Sequence, residues 1–221
     1  MKYIVFDLEF TVLRTQKHLA ETIEIGAIEL QADERGMLDM TDLYHTYVLP
    51  SQNPQISKLT TEFTGVTQSN VDTAPLFREA IESFKKWLGE DYYLCSWGPD
   101  DKYQLVRECR AQKLGLGWIR NYNDIQLFYT RLNGADIGQR MGLIKSLKAE
   151  NIPFIGKQHH ALDDAFNTAK LFKKIFPKLQ LEYNNAAEES LFESKLVYST
   201  VENDGGYHPF RELAHLLKIA Q

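Results

Sequence analysis

Three stretches of this 221-residue sequence place acids and histidines where they could do metal or proton-transfer chemistry. Asp7 and Glu9 fall in and just beyond an apolar run at residues 2–8. On a β-strand, side chains two residues apart leave the same face, so both carboxylates would converge while Phe6, Leu8 and Phe10 take the other. Carboxylates buried without a partner are costly or turn neutral, so such a pair calls for a cation. The plainer alternative is a strand that stops at Asp7, with both acids in solvent or paired with Lys and Arg. Asp100 and Asp101 come next, after Ser96-Trp97-Gly98-Pro99, where a strand gives way to a helix. A carboxylate there can cap the helix, which suits Asp100; Asp101 is open to either role. In the third stretch, Gln158-His159-His160-Ala161-Leu162-Asp163-Asp164, histidine precedes acid as a loop enters a helix. Adjacent histidines suggest metal ligands, but no third His or Cys lies nearby in sequence, so a His-ligated zinc site has little support. Hard carboxylate oxygens without thiolates favour Mg²⁺ or Mn²⁺ instead. Two such ions, bridged by acids and joined by a proton acceptor such as His159, could hydrolyse a phosphodiester.

The elements that must position these residues show in the periodicity. Residues 2–8 read as a central strand buried on both faces, and residues 22–30, carrying Ile23, Ile25, Ala27 and Ile28, as a second. Further strands are expected near residues 43–49, at residues 92–96 and at residues 118–122. Phe77, Ile81, Phe84 and Leu88 recur at helical spacing between Pro75 and Gly89. Leu105 and Cys109 mark another helix, residues 143–150 a third, and Leu162, Phe166, Ala169 and Phe172 a last one that ends before Pro177. Strands and helices together describe an α/β layered domain over residues 1–178. Residues 179–221 are expected to form an extension packed on it, with an acidic helix-like stretch at 186–196, a β-like run at 197–201, a turn at 203–206 and a helix opening at Pro209.

Composition sets outer limits. With 43% apolar and 25% charged residues the chain is expected to fold without disulfides, and Cys95 and Cys109 to be reduced thiols in or near the core. The first ten residues lack the length of a membrane span and the cleavage site of a signal peptide, so no membrane association and a cytoplasmic location are expected. A net charge of −5 argues against coating duplex DNA by electrostatics alone. The charge is unevenly spread, however: residues 101–178 hold 14 Lys and Arg against 7 Asp and Glu, so this segment could face a polyanion or simply solvate exposed helix faces.

Phe6-Asp7-Leu8-Glu9-Phe10-Thr11, the Asp101 segment and His159-x4-Asp164 together resemble, in order and spacing, the three motifs of the DEDDh 3′-to-5′ exonucleases. Thr64-Gly65-Val66-Thr67 through Pro75-Leu76-Phe77 resembles in particular the Eri-type exoribonucleases and the KapD-like bacterial exonucleases. The similarity spans roughly residues 1–178. It implies a ribonuclease H-like α/β fold with a mixed five-stranded sheet flanked by helices. It also implies Asp7, Glu9, Asp101 and Asp164 as ligands of two Mg²⁺ or Mn²⁺ ions, with His159 as the base that deprotonates the attacking water. His160 is then a neighbour, and Asp163 and Asp100 are secondary. Phe10 and Thr11 would lie where relatives hold the terminal nucleotide, and Trp97 is either a stacking platform or a core aromatic. The implied partners are 3′ ends of single-stranded RNA, favoured, or DNA. Two other classes stay open: a catalytically silent binding module on the same fold, and a small-molecule phosphohydrolase.

Overall fold

The computed structural model describes residues 1–134 and 138–189. The β-like run, turn and helix expected after residue 196 lie outside them, as does most of the acidic stretch. In chain order the elements are β1 (Lys2–Phe10), β2 (Thr22–Ala32), β3 (Leu38–Tyr47), α1 (Lys58–Thr64), α2 (Gln68–Val71), α3 (Phe77–Leu88), β4 (Tyr92–Ser96), α4 (Asp100–Ala111), β5 (Tyr122–Asp124), α5 (Ile125–Leu132), α6 (Leu143–Ala149) and α7 (Ala161–Ile175). The strands form one sheet in the order β3-β2-β1-β4-β5. β2 runs antiparallel to both β1 and β3, whereas β1, β4 and β5 run parallel, so the sheet is mixed.

Side-chain alternation along β1 divides the core. Ile4, Phe6 and Leu8 join Ile25 and Ala27 beneath α3, which presents Phe77, Ile81, Phe84 and Leu88. On the other face Val5, Ile28 and Leu30 meet Ala165, Ala169 and Phe172 of α7 and Ile125 and Tyr129 of α5. Asp7 and Glu9 continue the Val5 row, on the α7 side.

Several boundaries differ from those expected. β1 runs through both acids to Phe10, which removes the reading in which it stops at Asp7. β3 lies at Leu38–Tyr47 rather than at residues 43–49; it is an edge strand whose Asp39 and Asp42 face solvent, and only Leu38 and Met40 of its first half turn to the core. β5 is Tyr122–Asp124 rather than residues 118–122. The apolar character of Trp118 and Ile119 comes from burial in an irregular segment, at 9% and 0% exposure. α1, α2 and α5 were not foreseen.

Residues 179–189 run beside β5. The Asn184 side chain accepts from Tyr122 N–H at 2.9 Å and donates to Tyr122 C=O at 2.7 Å, replacing a ladder partner at the sheet edge. Lys102 pairs with Glu189 at 2.6 Å.

Candidate active site

β1 and β4 pair only from Lys2 to Val5. Beyond Val5 the two strands diverge, and the second half of β1 loses its partner on that side. α4 fills the gap: Leu8 N–H donates to Asp101 Oδ1 at 3.0 Å, so the carboxylate takes the place of a ladder carbonyl. This fixes Asp101 beside Asp7 and Glu9 at the carboxyl end of parallel strands. Asp100, in the same helical turn, lines the cleft described below.

α7 delivers the third group because β2 carries no side chain beneath it. Gly26 is the cross-strand partner of Asp7, and a Cβ placed there would stand 2.2 Å from Leu162 N and 2.4 Å from the Ala161 carbonyl carbon. The first turn of α7 therefore rests on bare β2 backbone, which brings Asp164 to the acids of β1. Asn167, fully buried in α7, anchors the loop ahead of it: Oδ1 accepts from Ile155 N–H at 3.0 Å and Nδ2 donates to Ile155 C=O at 2.7 Å. Gly156, at φ +91°, makes room for the Asp163 carboxylate, which caps Lys157 N–H at 2.8 Å. His159 follows in the left-handed region at φ +61°, an uncommon conformation for a side-chain-bearing residue. Its N–H donates to Asp164 Oδ2 at 2.8 Å.

The ligand atoms of Glu9, His159 and Asp164 all lie within 4.8 Å of one another. Glu9, Asp101 and Asp164 are buried, and among the described residues none of the four acids has an ion-pair partner. Burial raises the Asp7 carboxyl well above the usual range, and the charges of Asp101, Glu9, Asp164 and Glu24 raise it further. Burial, then Glu24, Asp164 and Asp101, push Glu9 up to about 9. Asp101 rises to about 7 by burial, offset in part by the Leu8 N–H, and Asp164 to about 6 by burial, offset in part by the His159 N–H. Burial lowers His159, which keeps its imidazole neutral and able to accept a proton at neutral pH. Asp164 Oδ1 is buried without any hydrogen-bond partner. An orphaned carboxylate oxygen among desolvated acids fits a hard divalent cation, and the oxygen-rich donor set fits Mg²⁺ or Mn²⁺.

Two residues that sequence reasoning missed complete the surroundings. Glu24, with no exposed surface, faces Glu9 across the β1–β2 pair. Phe63 of α1 is 52% exposed, and its ring centroid lies 4.4 Å from that of His159. Of the three expected nucleotide contacts, Phe10 lines a cleft of about 480 Å³ against α4, together with Tyr103, Gln104, Arg107 and Arg110. Thr11 is buried and its hydroxyl accepts from Glu21 N–H at 3.0 Å. Trp97 packs against Tyr129, with 5.9 Å between ring centroids. Both thiols are buried and raised by that burial, Cys109 to about 12, so neither is a nucleophile at neutral pH.

The model of the exonuclease family matches residues 4–172, which contain all five of these site residues. The chain belongs to this exonuclease family. Within that match Asp7, Glu9, Asp101, His159 and Asp164 keep the order of the three motifs read from the sequence. The chain is 26% identical over 187 residues to ERI1 exoribonuclease 3 of Homo sapiens, covering 78% of this chain and 53% of that one. The chain thus spans about half the length of that relative. It is 31% identical over 179 residues to a DNA polymerase III PolC-type protein of Thermotoga maritima, covering 78% of this chain and 12% of that one. Among solved structures, the nuclease domain of 3′hExo, a DEDDh family member bound to rAMP, superposes with a TM-score of 0.73 at 23% identity, covering 83% of this chain and 96% of that one. The ribonuclease H-like fold is the one expected. Divalent metal is general to the family, and among the described residues no helix is long and apolar enough to cross a membrane.

Proposed function

We propose that this chain is a metal-dependent 3′-to-5′ exonuclease that acts on single strands, prefers RNA to DNA and releases nucleoside 5′-monophosphates. The observation that carries the reading is the convergence of four carboxylates that have no ion-pair partner among the described residues, one with an orphaned buried oxygen, beside a neutral imidazole. Asp7, Glu9, Asp101 and Asp164 would hold two Mg²⁺ or Mn²⁺ ions. When bound, such ions neutralise charge on the scissile phosphate and lower the pKa of water. His159 accepts the proton of the attacking water. As the water oxygen bonds to phosphorus, the bond from phosphorus to the preceding nucleotide's 3′ oxygen breaks, and that oxygen takes a proton from solvent water. Phe63 packs against the imidazole and steadies it. Phe10 stacks the terminal base, Thr11 fixes the chain just beyond it, and Arg107 and Arg110 on the cleft wall draw the backbone toward the acids. Trp97 acts from behind, closing the core under the fourth strand. The preference for RNA rests on the likeness to the exoribonuclease relatives.

The test is digestion of matched 5′-labelled single-stranded RNA and DNA with Mg²⁺ or Mn²⁺, using EDTA and Asp7→Ala as controls. A ladder that shortens from the 3′ end, is faster on RNA and is lost in both controls is expected. Intact polymer with metal bound would overturn the reading in favour of a silent binding module, and phosphate released from mononucleotides alone in favour of a small-molecule phosphohydrolase.

A further inference from the structure

We propose that Glu24, His45 and His160 form a second metal site, suited to a transition ion of the zinc type. The sequence holds no third ligand near the His159-His160 pair, but the fold supplies two from the sheet. On the face that carries the acids, β2 presents Glu24 and β3 presents His45, which is paired with Gly26. α7 starts above that glycine, so its N-cap residue His160 comes down beside both. Glu24 Oε1 lies 2.7 Å from His45 Nε2 and 3.1 Å from His160 Nε2, and the three ligand atoms all lie within 4.8 Å of one another. The other Glu24 oxygen is 3.3 Å from Ala161 N–H, which fixes the carboxylate's orientation.

The chemistry of these donors differs from that of the neighbouring acids. Two imidazole nitrogens and one carboxylate oxygen suit Zn²⁺ and its first-row neighbours, whereas Mg²⁺ favours oxygen and retains its water. A second, independent observation concerns the far side of His160. Its Nδ1 is buried without a hydrogen bond and stands 3.4 Å from Asp163 Oδ2. A histidine that ligates through Nε2 carries its proton on Nδ1 and commonly donates it to a carboxylate, the position Asp163 holds here. An ion held by the two Nε2 atoms would leave each ring's proton on Nδ1. Occupancy would tie β2, β3 and the first turn of α7 together, one residue from His159. It would also offset the Glu24 charge opposite Glu9.

Co²⁺ is the probe, because its visible absorption reports the ligand field. The Asp7→Asn/Asp101→Asn double variant weakens the oxygen site while leaving Glu24, His45 and His160 in place. In that background, under excess Mg²⁺, we expect one equivalent of Co²⁺ that Zn²⁺ displaces and Mg²⁺ does not. Adding His45→Gln or His160→Asn should weaken Zn²⁺ by at least about 100-fold, and Asp163→Asn by about tenfold. No bound Co²⁺ in the double variant, or equal affinity with and without His45, would overturn the proposal and leave the cluster a Glu-His ion pair only. Using both His45→Gln and His160→Asn guards against one of them failing to fold. Since nothing here reads nuclease activity, the outcome is independent of the exonuclease reading.

Discussion

Gly26→Ala alters no group that could touch substrate or metal, yet it should disable the site. The added Cβ would meet Leu162 N at 2.2 Å, the Ala161 carbonyl carbon at 2.4 Å and Leu162 Cα at 2.5 Å, all of them backbone atoms. No rotamer change can relieve this. Restoring a contact of about 3.5 Å requires the first turn of α7 to retreat by roughly 1 Å. That turn carries Asp164, and through the Asp164–His159 N–H bond the displacement reaches the base. A misplacement of about 1 Å in a catalytic constellation costs on the order of 100-fold in turnover. The overpacking itself should cost about 1 to 3 kcal/mol of stability. Gly115→Ala is the control, since a Cβ there meets nothing within 4 Å and the backbone is not left-handed. Single-turnover digestion of labelled single-stranded RNA, alongside thermal unfolding, reads both effects. Wild-type turnover with an unmoved Tm in Gly26→Ala would refute the claim that bare backbone at this position seats α7 on the sheet.

The acids make stability depend on pH in a fixed direction. The folded forms of Glu9, Asp101 and Asp164 titrate near 9, 7 and 6, above their ordinary values, so the folded chain binds more protons than the unfolded one between about pH 4 and 9. Metal-free protein should therefore lose Tm as pH rises through that window, and Mn²⁺ should restore it; a flat metal-free profile would contradict the burial of these groups. Glu9→Gln should raise the metal-free Tm at pH 8 and shrink the gain on adding Mn²⁺, as read by thermal shift. His159→Ala should lower kcat by about 10² to 10⁴-fold with little change in KM or metal binding, and His160→Ala should retain much of its activity; equal losses would mean the base is misassigned. Asn167→Ala, which strands both backbone groups of Ile155, should cost about 2 to 3 kcal/mol in urea unfolding.

What the sequence disclosed and what it hid follow from the range of each signal. β1, β2, β4, α3 and α7 were legible because their apolar residues recur at strand or helix spacing over a full element. The five candidate residues stood out in the sequence because Asp7 and Glu9 interrupt an apolar strand, Asp101 and Asp164 lie in the first turn of a helix and His159 just ahead of one. β5 was displaced because Trp118 and Ile119 are apolar for a tertiary reason, the filling of a core gap, that mimics a strand. Glu24 was invisible for the opposite reason. An acid among Ile23, Ile25 and Gly26 reads as the solvated position of an alternating strand, and only the arrival of α7 over the sheet buries it. His45 lies on a polar edge strand far from the other histidines in sequence, so no spacing rule could associate them. Gly26 reads as an ordinary small residue until the helix above it is seen.

These hidden residues lie on β2 and β3, on the sheet face that the start of α7 covers. The motif acids name the chemistry, but they do not explain how neighbouring carboxylates come to be held together. The answer lies in backbone contacts. Leu8 N–H holds Asp101, His159 N–H holds Asp164, and bare β2 backbone at Gly26 lets α7 approach. Each contact has main chain on at least one side, a backbone N–H or the bare β2 backbone, so it can persist whether an acid is protonated or charged around bound ions. Binding ions would then exchange protons for metal on a frame held by these backbone contacts. Substitutions that displace the frame should then impair the site as severely as loss of a ligand, whereas neutralising one acid should leave the fold intact or firmer.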